Sequence, residues 1–353
     1  MKKVLVWGLT NNRAGTEAVI VNYASRAQDT SFDFLCYEAP LNHWEKLDRN
    51  GNRYFVIPSK IKNPIAYRAA FSQFMNEHDG EYDALWFNVN DAANIDPLKY
   101  ALKHGIGRRI VHMHNSQVAN SLLTRSFHAL NKRKLVGLST ECWACSDAAA
   151  SFLGSTGNVR IVANAIDVDT VSFSPEKRSI VRAKLGLDDA FVVGSVGRLT
   201  PQKDPGFLVE ILPALVEERE NAHLLFVGTG ELEGMLREKS EMLGVAERVH
   251  LVGSQEDMQA YLSACDAYAQ PSRYEGFGIS VLEAQFNGLP CTVSDAVPHE
   301  VDITNAIEHI PTAEVDAWVK ALCSRDRTGV SLLDRARRYD AHVLGDSIDE
   351  LFS

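Results

Sequence analysis

Short apolar runs separated by helical patterns recur along this chain, and no other feature restricts its fold as much. Strand-like runs fall at 2–9, 32–37, 54–58, 84–89, 109–114 and 142–146, then at 191–197, 223–230, 249–253, 266–270 and 291–294. Helical patterns stand between most of them, notably at 16–26, 65–77, 97–103 and 121–138. Strands alternating with helices predict α/β architecture, with parallel doubly wound sheets and ligands at the carboxyl ends of the strands. At 353 residues the chain is long enough for two ordinary domains, each with its own core. Residues 168–178, Val-Asp-Thr-Val-Ser-Phe-Ser-Pro-Glu-Lys-Arg, read as the linker between them.

The net charge of −10 is unevenly spread: residues 1–167 hold 19 Lys and Arg against 15 Asp and Glu, leaving 17 against 31 for the remainder. An acidic half is a poor partner for nucleic acid, so no nucleic-acid role is expected. The basic half can lie near an anionic surface. No window approaches the roughly 20 apolar residues that span a bilayer. Met1-Lys2-Lys3 looks like the start of a signal peptide, but the apolar run after it is too short and no cleavage site follows, so a cytoplasmic protein is expected. Cys142 and Cys145 have a C-x-x-C spacing within a strand-like run, where residues three apart face opposite ways and cannot share a metal. Buried thiols are the expected outcome. No G-x-G-x-x-G follows the first strand, which argues against a dinucleotide-dependent dehydrogenase.

Residues 270–290 concentrate the chemistry. An apolar run ends at Gln270, a loop follows with Glu275, Gly276 and Gly278, and a helical pattern runs from Ile279 to a stop at Gly288 and Pro290. Glycines at a strand-to-helix turn let backbone N–H groups approach a ligand, and the helix N-terminus favours an anion by about 0.3–1 kcal/mol. Glu283 falls about one turn into that helix, with its carboxylate on the ligand side of the loop. Two carboxylates beside a phosphate cradle suit a phosphate that carries hydroxyls at both ends. A nucleotide sugar has that shape. Upstream, Arg198 and Lys203 bracket another strand-to-helix loop, with Asp204 as expected N-cap and Pro205 as first helical residue. Arg offers a planar fork and Lys a point charge, a pair suited to a diphosphate.

The spacing of Glu275 and Glu283, with Gly276-Phe277-Gly278 between, resembles the E-x7-E signature of retaining glycosyltransferases of family 4. Their fold is GT-B, two Rossmann-like doubly wound domains facing a central cleft. The likeness extends over nearly the whole chain. Arg198 with Lys203 resembles the family's Gly-Arg…Lys element, which neutralises the leaving diphosphate. Gly228-Thr229-Gly230-Glu231-Leu232 resembles its Gly-x-Gly-x-Leu, and Gly253 and Ser254 stand where the family meets the nucleotide base through backbone groups. His114 and Asn115 match a His-Asp or His-Asn that lines the floor of the sugar site, with His112 turned the same way but deeper in the sheet. Ala14-Gly15 stands where the family has a Gly-Gly pair beside donor phosphate and acceptor, so Gly15 is left to serve. Asn164-Ala165-Ile166-Asp167 resembles the Asn-Gly-Ile-Asp that precedes the second domain. Of Gly-Gly-x-Pro-Glu, Pro298 and Glu300 remain, one residue further apart and without the glycine loop that follows. That variant is closer in style to bacterial capsule and exopolysaccharide members.

The resemblance implies an acceptor-side domain over 1–170, a nucleotide-sugar domain over 171–330 and a final helix, 331–353, packing back on the first. It implies transfer of a sugar from a UDP- or GDP-linked donor to a hydroxyl of a saccharide or lipid-linked saccharide, with the anomeric configuration retained. Glu275 is assigned to the sugar hydroxyls, Glu283 to the ribose, and the Gly276 to Gly278 amides to the phosphate. No D-x-D cation site flanked by the expected strand is found, so neither metal nor cofactor is expected. The helix over 121–138 carries Leu122, Leu123, Phe127 and Leu130 beside Arg125, Lys132, Arg133 and Lys134. It reads either as a core-facing helix with a solvated end or as one lying on the inner face of the plasma membrane. Two rival functions remain: a GT-B sugar-nucleotide epimerase, which needs carboxylates placed for proton abstraction, and a non-catalytic nucleotide-sugar-binding protein.

Overall fold

A computed structural model of the protein describes residues 1–12, 15–118, 122–154, 157–327 and 330–353. Ala14, and Ser121 at the start of the helical pattern 121–138, lie outside them. The chain forms two compact units, one made of 1–166 with 338–353 and the other of 167–337.

The first unit is built on β1 (Lys2–Trp7), β2 (Thr30–Cys36), β3 (Arg53–Val56), β4 (Ala84–Val89), β5 (Arg108–Met113), β6 (Glu141–Ala144) and β7 (Val159–Ile161). These form one parallel sheet in the order β3-β2-β1-β4-β5-β6-β7. The second contains β8 (Phe191–Val196), β9 (Ala222–Val227), β10 (Val249–Leu251), β11 (Ala267–Gln270), β12 (Cys291–Val293) and β13 (Ile307–His309). They too are all parallel, in the order β10-β9-β8-β11-β12-β13. Helices cover both faces of such a sheet, so inner strands read as unbroken apolar runs. β4, Ala-Leu-Trp-Phe-Asn-Val, is buried at every position. β2 is equally buried and carries Asp33, which is compensated by a two-point grip from Arg53 at 3.0 and 2.5 Å and by the Tyr82 hydroxyl at 2.8 Å.

In each sheet the strand order reverses once, between β1 and β4 and between β8 and β11. Helices leave such a point toward opposite faces, which opens a crevice at the carboxyl ends of those strands. Both candidate clusters described below stand there.

The helix Ala341–Phe352 packs on the first unit. Phe352 is buried edge-on against Phe32 and Trp86 and beside Trp143. Arg108 donates to the carbonyls of Leu351 and Ser353 at 2.6 and 3.1 Å, tying down the end of the chain.

Four expectations need correction. The stretch 168–178 is not a plain linker: it holds a 3-10 turn, Val168–Thr170, and the start of the helix Pro175–Leu185, whose N-cap Ser174 accepts from the Lys177 amide. A helix does start at Pro205, but Asp204 is not its side-chain cap. Asp204 sits in the left-handed region at φ 48°, and its carboxylate accepts from Arg273 Nε at 2.9 Å. β7 and β13 were not foreseen, because Val-Arg-Ile and Ile-Glu-His centre on a charged residue and so show no apolar run, unlike the equally short β10 and β12. The helix Leu122–Leu138 does not turn its apolar stripe to the core: Leu122, Leu123 and Leu130 are 79%, 72% and 69% exposed, and its buried residues are His128 and Leu135. All six cysteines are free thiols, and Cys142 and Cys145 are buried. Among the described residues no helix is long and apolar enough to cross a membrane.

Candidate functional site

At the reversal in the second sheet, β8 and β9 leave through glycines whose backbones touch. Gly197 and Gly228 adopt φ +148° and +143°, and a Cβ on Gly228 would lie 2.0 Å from the Gly197 carbonyl oxygen. A Cβ on Gly230 would lie 2.2 Å from the Leu199 oxygen. Only glycine permits this approach. Backbone bonds then knit the strand ends together, Gly197 N to Val227 O and Leu199 N to Thr229 O at 3.0 Å, and Gly228 N to Gly253 O at 2.8 Å. Gly253 is half-buried and Ser254 exposed at the end of β10.

β11 ends at Gln270, and the loop after it turns Glu275 inward. Glu275 is buried, and its Oε1 accepts from Lys203 Nζ at 2.5 Å, Ser272 Oγ at 2.8 Å and Gln270 Nε2 at 3.1 Å. Gln270 is itself oriented, because its oxygen accepts from the hydroxyls of Tyr268 at 2.9 Å and Ser280 at 2.7 Å. The loops carrying Lys203 and Glu275 are stitched by Arg273 N to Gln202 O at 2.8 Å and by Gln202 Nε2 to Tyr274 O at 3.2 Å. Arg198 lies at the edge, exposed, donating to Gln202 Oε1 at 3.3 Å. A small cavity opens here, lined by Gly197, Arg198, Lys203, Pro205 and Gln270 among others.

The helix Ile279–Phe286 starts from Gly278 in the left-handed region, φ +101°. Gly276, Phe277 and Gly278 are buried just before it. Glu283 is half-buried and makes no side-chain hydrogen bond among the described residues. Burial pushes its carboxyl up to about 7, and the nearby Lys203 ammonium opposes this only in part. A carboxylate held this way lacks a partner that a ligand hydroxyl can supply.

The first sheet shows a parallel arrangement. Gly8, at the end of β1, has φ +111°, and a Cβ there would lie 2.7 Å from the Asn88 carbonyl oxygen. Asn88 donates its amide to the Trp7 carbonyl at 3.2 Å, and its Oδ1 lies 2.8 Å from His114 Nε2. That arrangement puts the ring proton on Nε2 and leaves a lone pair on Nδ1. Burial lowers the His114 imidazole to about 3, so the neutral ring is the working form. His112 lies beneath it, 4.1 Å between ring centroids, and faces the Trp86 indole nitrogen at 3.4 Å. Asn115 turns its own side chain back to the Ser116 amide at 2.9 Å. Gly15 is the first residue of the helix Gly15–Ala24.

The structure thus joins Lys203, Glu275 and the glycine loop, and brings Glu283 into the field of Lys203. His114 and Asn115 form a separate group on the first unit. Three residues of these clusters were missed: Gln270, Ser272 and Asn88. Two of them carried a usable signal, a polar amide at the carboxyl end of an otherwise apolar strand.

Residues 177–324 match the family described as Glycosyl transferases group 1. With its two doubly wound sheets, the chain is a glycosyltransferase with the GT-B fold. EpsF of Bacillus subtilis is 26% identical over 303 residues, which cover 82% of this chain and 78% of that one. A Corynebacterium glutamicum enzyme named as a GDP-mannose-dependent monoacylated phosphatidylinositol monomannoside mannosyltransferase is 30% identical over 67% of this chain and 65% of its own. Among solved structures, HepE of Anabaena with UDP and glucose superposes over 100% of this chain and 99% of its own, with a TM-score of 0.77 and 20% identity. That likeness establishes the fold.

Proposed function

We propose that this glycosyltransferase retains anomeric configuration, in the manner of family 4, moving a sugar from a UDP- or GDP-linked donor to a hydroxyl of a saccharide or lipid-linked saccharide. The observation that carries the reading is the Lys203–Glu275 pair at the reversal point of the second sheet, beside a glycine turn that opens a helix. Lys203 and Arg198, with the amides of Gly276 to Gly278, stabilise charge growing on the leaving phosphate. Such preorganised stabilisation is usually the largest catalytic term. Glu275 holds sugar hydroxyls and Glu283 the ribose hydroxyls. Gly253 and Ser254 meet the base through backbone groups, and Gly15 serves donor phosphate and acceptor. His114 offers its Nδ1 lone pair to a sugar hydroxyl, with Asn115 beside it. As the bond from the anomeric carbon to the phosphate breaks, the acceptor oxygen bonds to that carbon on the same face and its proton passes to the leaving phosphate. No metal ion takes part, so activity is expected to persist in chelator.

HepE, whose structure holds UDP and glucose, supports a UDP-sugar, whereas the Corynebacterium relative's name specifies GDP-mannose and a phosphatidylinositol acceptor. A cytoplasmic enzyme of bacterial surface polysaccharide or glycoconjugate synthesis fits both. Exposed Leu122, Leu123, Phe127 and Leu130 near Arg125 and 132–134 support contact with the inner face of the plasma membrane.

A thermal-shift panel of UDP, GDP and ADP, then of their sugars, tests the donor. A bound ligand at 100 times its Kd adds about 2.7 kcal/mol of apparent stability. One base is expected to stand out, and its sugar to yield a product with unchanged anomeric configuration by NMR. No shift with any of them, or an inverted product, overturns the proposal.

A further inference from the structure

A second cluster of chemistry-bearing side chains lies outside the phosphate site, in the connection from β12 to β13. His299, Asp302 and His309 offer one ligand atom each, all within 4.8 Å of one another. Asp302 stands between the two rings, its Oδ2 3.1 Å from His299 Nδ1 and its Oδ1 2.8 Å from His309 Nε2.

The backbone fixes this arrangement. The turn His299–Val301 is 3-10, a geometry that eclipses residues three apart and so sets His299 over Asp302. His309 ends β13, in register with Val293 of β12. Between them, buried Gln285 clamps the chain: its Nε2 donates to the Val301 carbonyl at 2.8 Å, and its Oε1 accepts from the Ile303 and Thr304 amides at 2.9 and 3.1 Å. Val301 and Ile303 are fully buried, so Asp302 is pinned between two anchored residues. The Asp302 and His309 side chains are 14% and 11% exposed and the His299 ring is 76% exposed, which gives the cluster fixed walls and one open side.

We propose that His299, Asp302 and His309 bind a divalent transition-metal ion of the zinc type. Two imidazole nitrogens and one carboxylate oxygen are a zinc donor set, with the fourth position open to water. Calcium and magnesium prefer all-oxygen shells and are discriminated against. A tetrahedral zinc with bonds of about 2.0–2.2 Å sets its ligand atoms roughly 3.3–3.6 Å apart, so the Asp302 contacts to the two rings, 3.1 and 2.8 Å, must open slightly, and the exposed His299 supplies part of that movement. Metal at His309 Nε2 would put the ring proton on Nδ1, which is buried and has no partner among the described residues, so a bridging water is the partner that this proton requires. The ion would staple the turn to β13. Val297, on the same connection, stands 3.5 Å from where a Cβ on Gly278 would lie, so the staple stiffens the backing of the donor loop without joining the chemistry.

The test uses the full-length protein, stripped with chelator and titrated with cobalt(II), zinc and magnesium. One equivalent of cobalt is expected to give visible absorption bands that zinc bleaches by displacement, and zinc is expected to raise the melting temperature while magnesium does not. Asp302→Asn and His309→Ala should abolish the bands, and His299→Ala, at an exposed position that leaves folding intact, should weaken cobalt binding at least tenfold. Glu283→Gln should leave metal uptake unchanged, which separates this site from the donor site. Failure of the wild-type protein to take up cobalt or zinc, or uptake untouched by His299→Ala, overturns the proposal.

Discussion

Lys203 and Glu275 are 72 positions apart, and each answers a need of the other. A buried Glu275 without a cation costs desolvation, and Lys203 without Glu275 would carry its charge into a half-closed loop. Removing one partner of a buried pair costs about 3–5 kcal/mol, but Ser272 and Gln270 still hold the Glu275 oxygen, so Lys203→Ala should destabilise by about 1–3 kcal/mol. Urea unfolding measures this, and an unchanged midpoint would mean the pair does not form. Glu283→Gln should weaken donor binding about ten- to a hundredfold by calorimetry, since a charge-assisted bond to a hydroxyl is lost. The same residue sets a pH signature. Burial pushes its carboxyl up to about 7, above the ordinary glutamate range, so the folded protein holds this proton more tightly than the unfolded chain does. Its contribution to stability is therefore full below about 4.5 and declines as pH rises toward 7. Relative to Glu283→Gln, the wild type should lose stability across that window and stay level above it. A difference that is flat with pH contradicts the buried placement. Glu275 and Glu283 were legible because their spacing survives as a motif. The engagement of Lys203 by Glu275 was not, because it depends on two strand ends meeting.

Among the elements, the crossing of the β8 and β9 ends makes the sharpest demand on sequence. Gly228→Ala puts a methyl group where the Gly197 carbonyl stands and forces φ +143° on an alanine, so it should cost about 3 kcal/mol and displace Arg198 and Lys203. Gly234→Ala, inside the helix Glu233–Met242 with nothing within 4 Å, should gain about 0.5–1 kcal/mol. Melting curves and nucleotide titrations of both variants distinguish close approach from a general effect of losing glycine. The inner strands were legible because burial on both faces writes an unbroken apolar run, as in β4. The helix Leu122–Leu138 shows the limit of such reading: periodicity reveals an apolar stripe, not what faces it. Here Leu122, Leu123 and Leu130 face outward. Replacing Leu122 and Leu130 with Ser should therefore leave the melting temperature unchanged and reduce co-sedimentation with anionic vesicles at least tenfold. A drop in melting temperature would mean that the stripe is covered by protein.

At the scale of the whole molecule, the chain closes its first unit only at its last residues. The segment 338–353 belongs with 1–166, so that unit is made of two pieces of sequence with the second unit threaded between them. Composition and charge show two halves but not this return, which only the family resemblance led one to expect; it rests on an aromatic contact set together with the bonds of Arg108 to Leu351 and Ser353 and of Thr30 to Asp349. Phe352 meets Phe32, Trp86 and Trp143 across β2, β4 and β6. Truncating a buried Phe to Ala costs about 3–5 kcal/mol, and all of it should fall on the first unit. Hydrogen exchange reads the two sheets separately. In Phe352→Ala, peptides from β1, β2, β4 and β5 should exchange faster, while those from β8, β9, β11 and β12 keep the wild-type rate. The cognate nucleotide should still protect 196–204 and 270–283 in the variant, because the residues assigned to its base, its ribose and, Gly15 apart, its phosphates lie in the second unit. Equal acceleration in both sheets would show instead that the two units unfold as one, and loss of nucleotide protection would mean that the second-unit residues do not hold the nucleotide without the first.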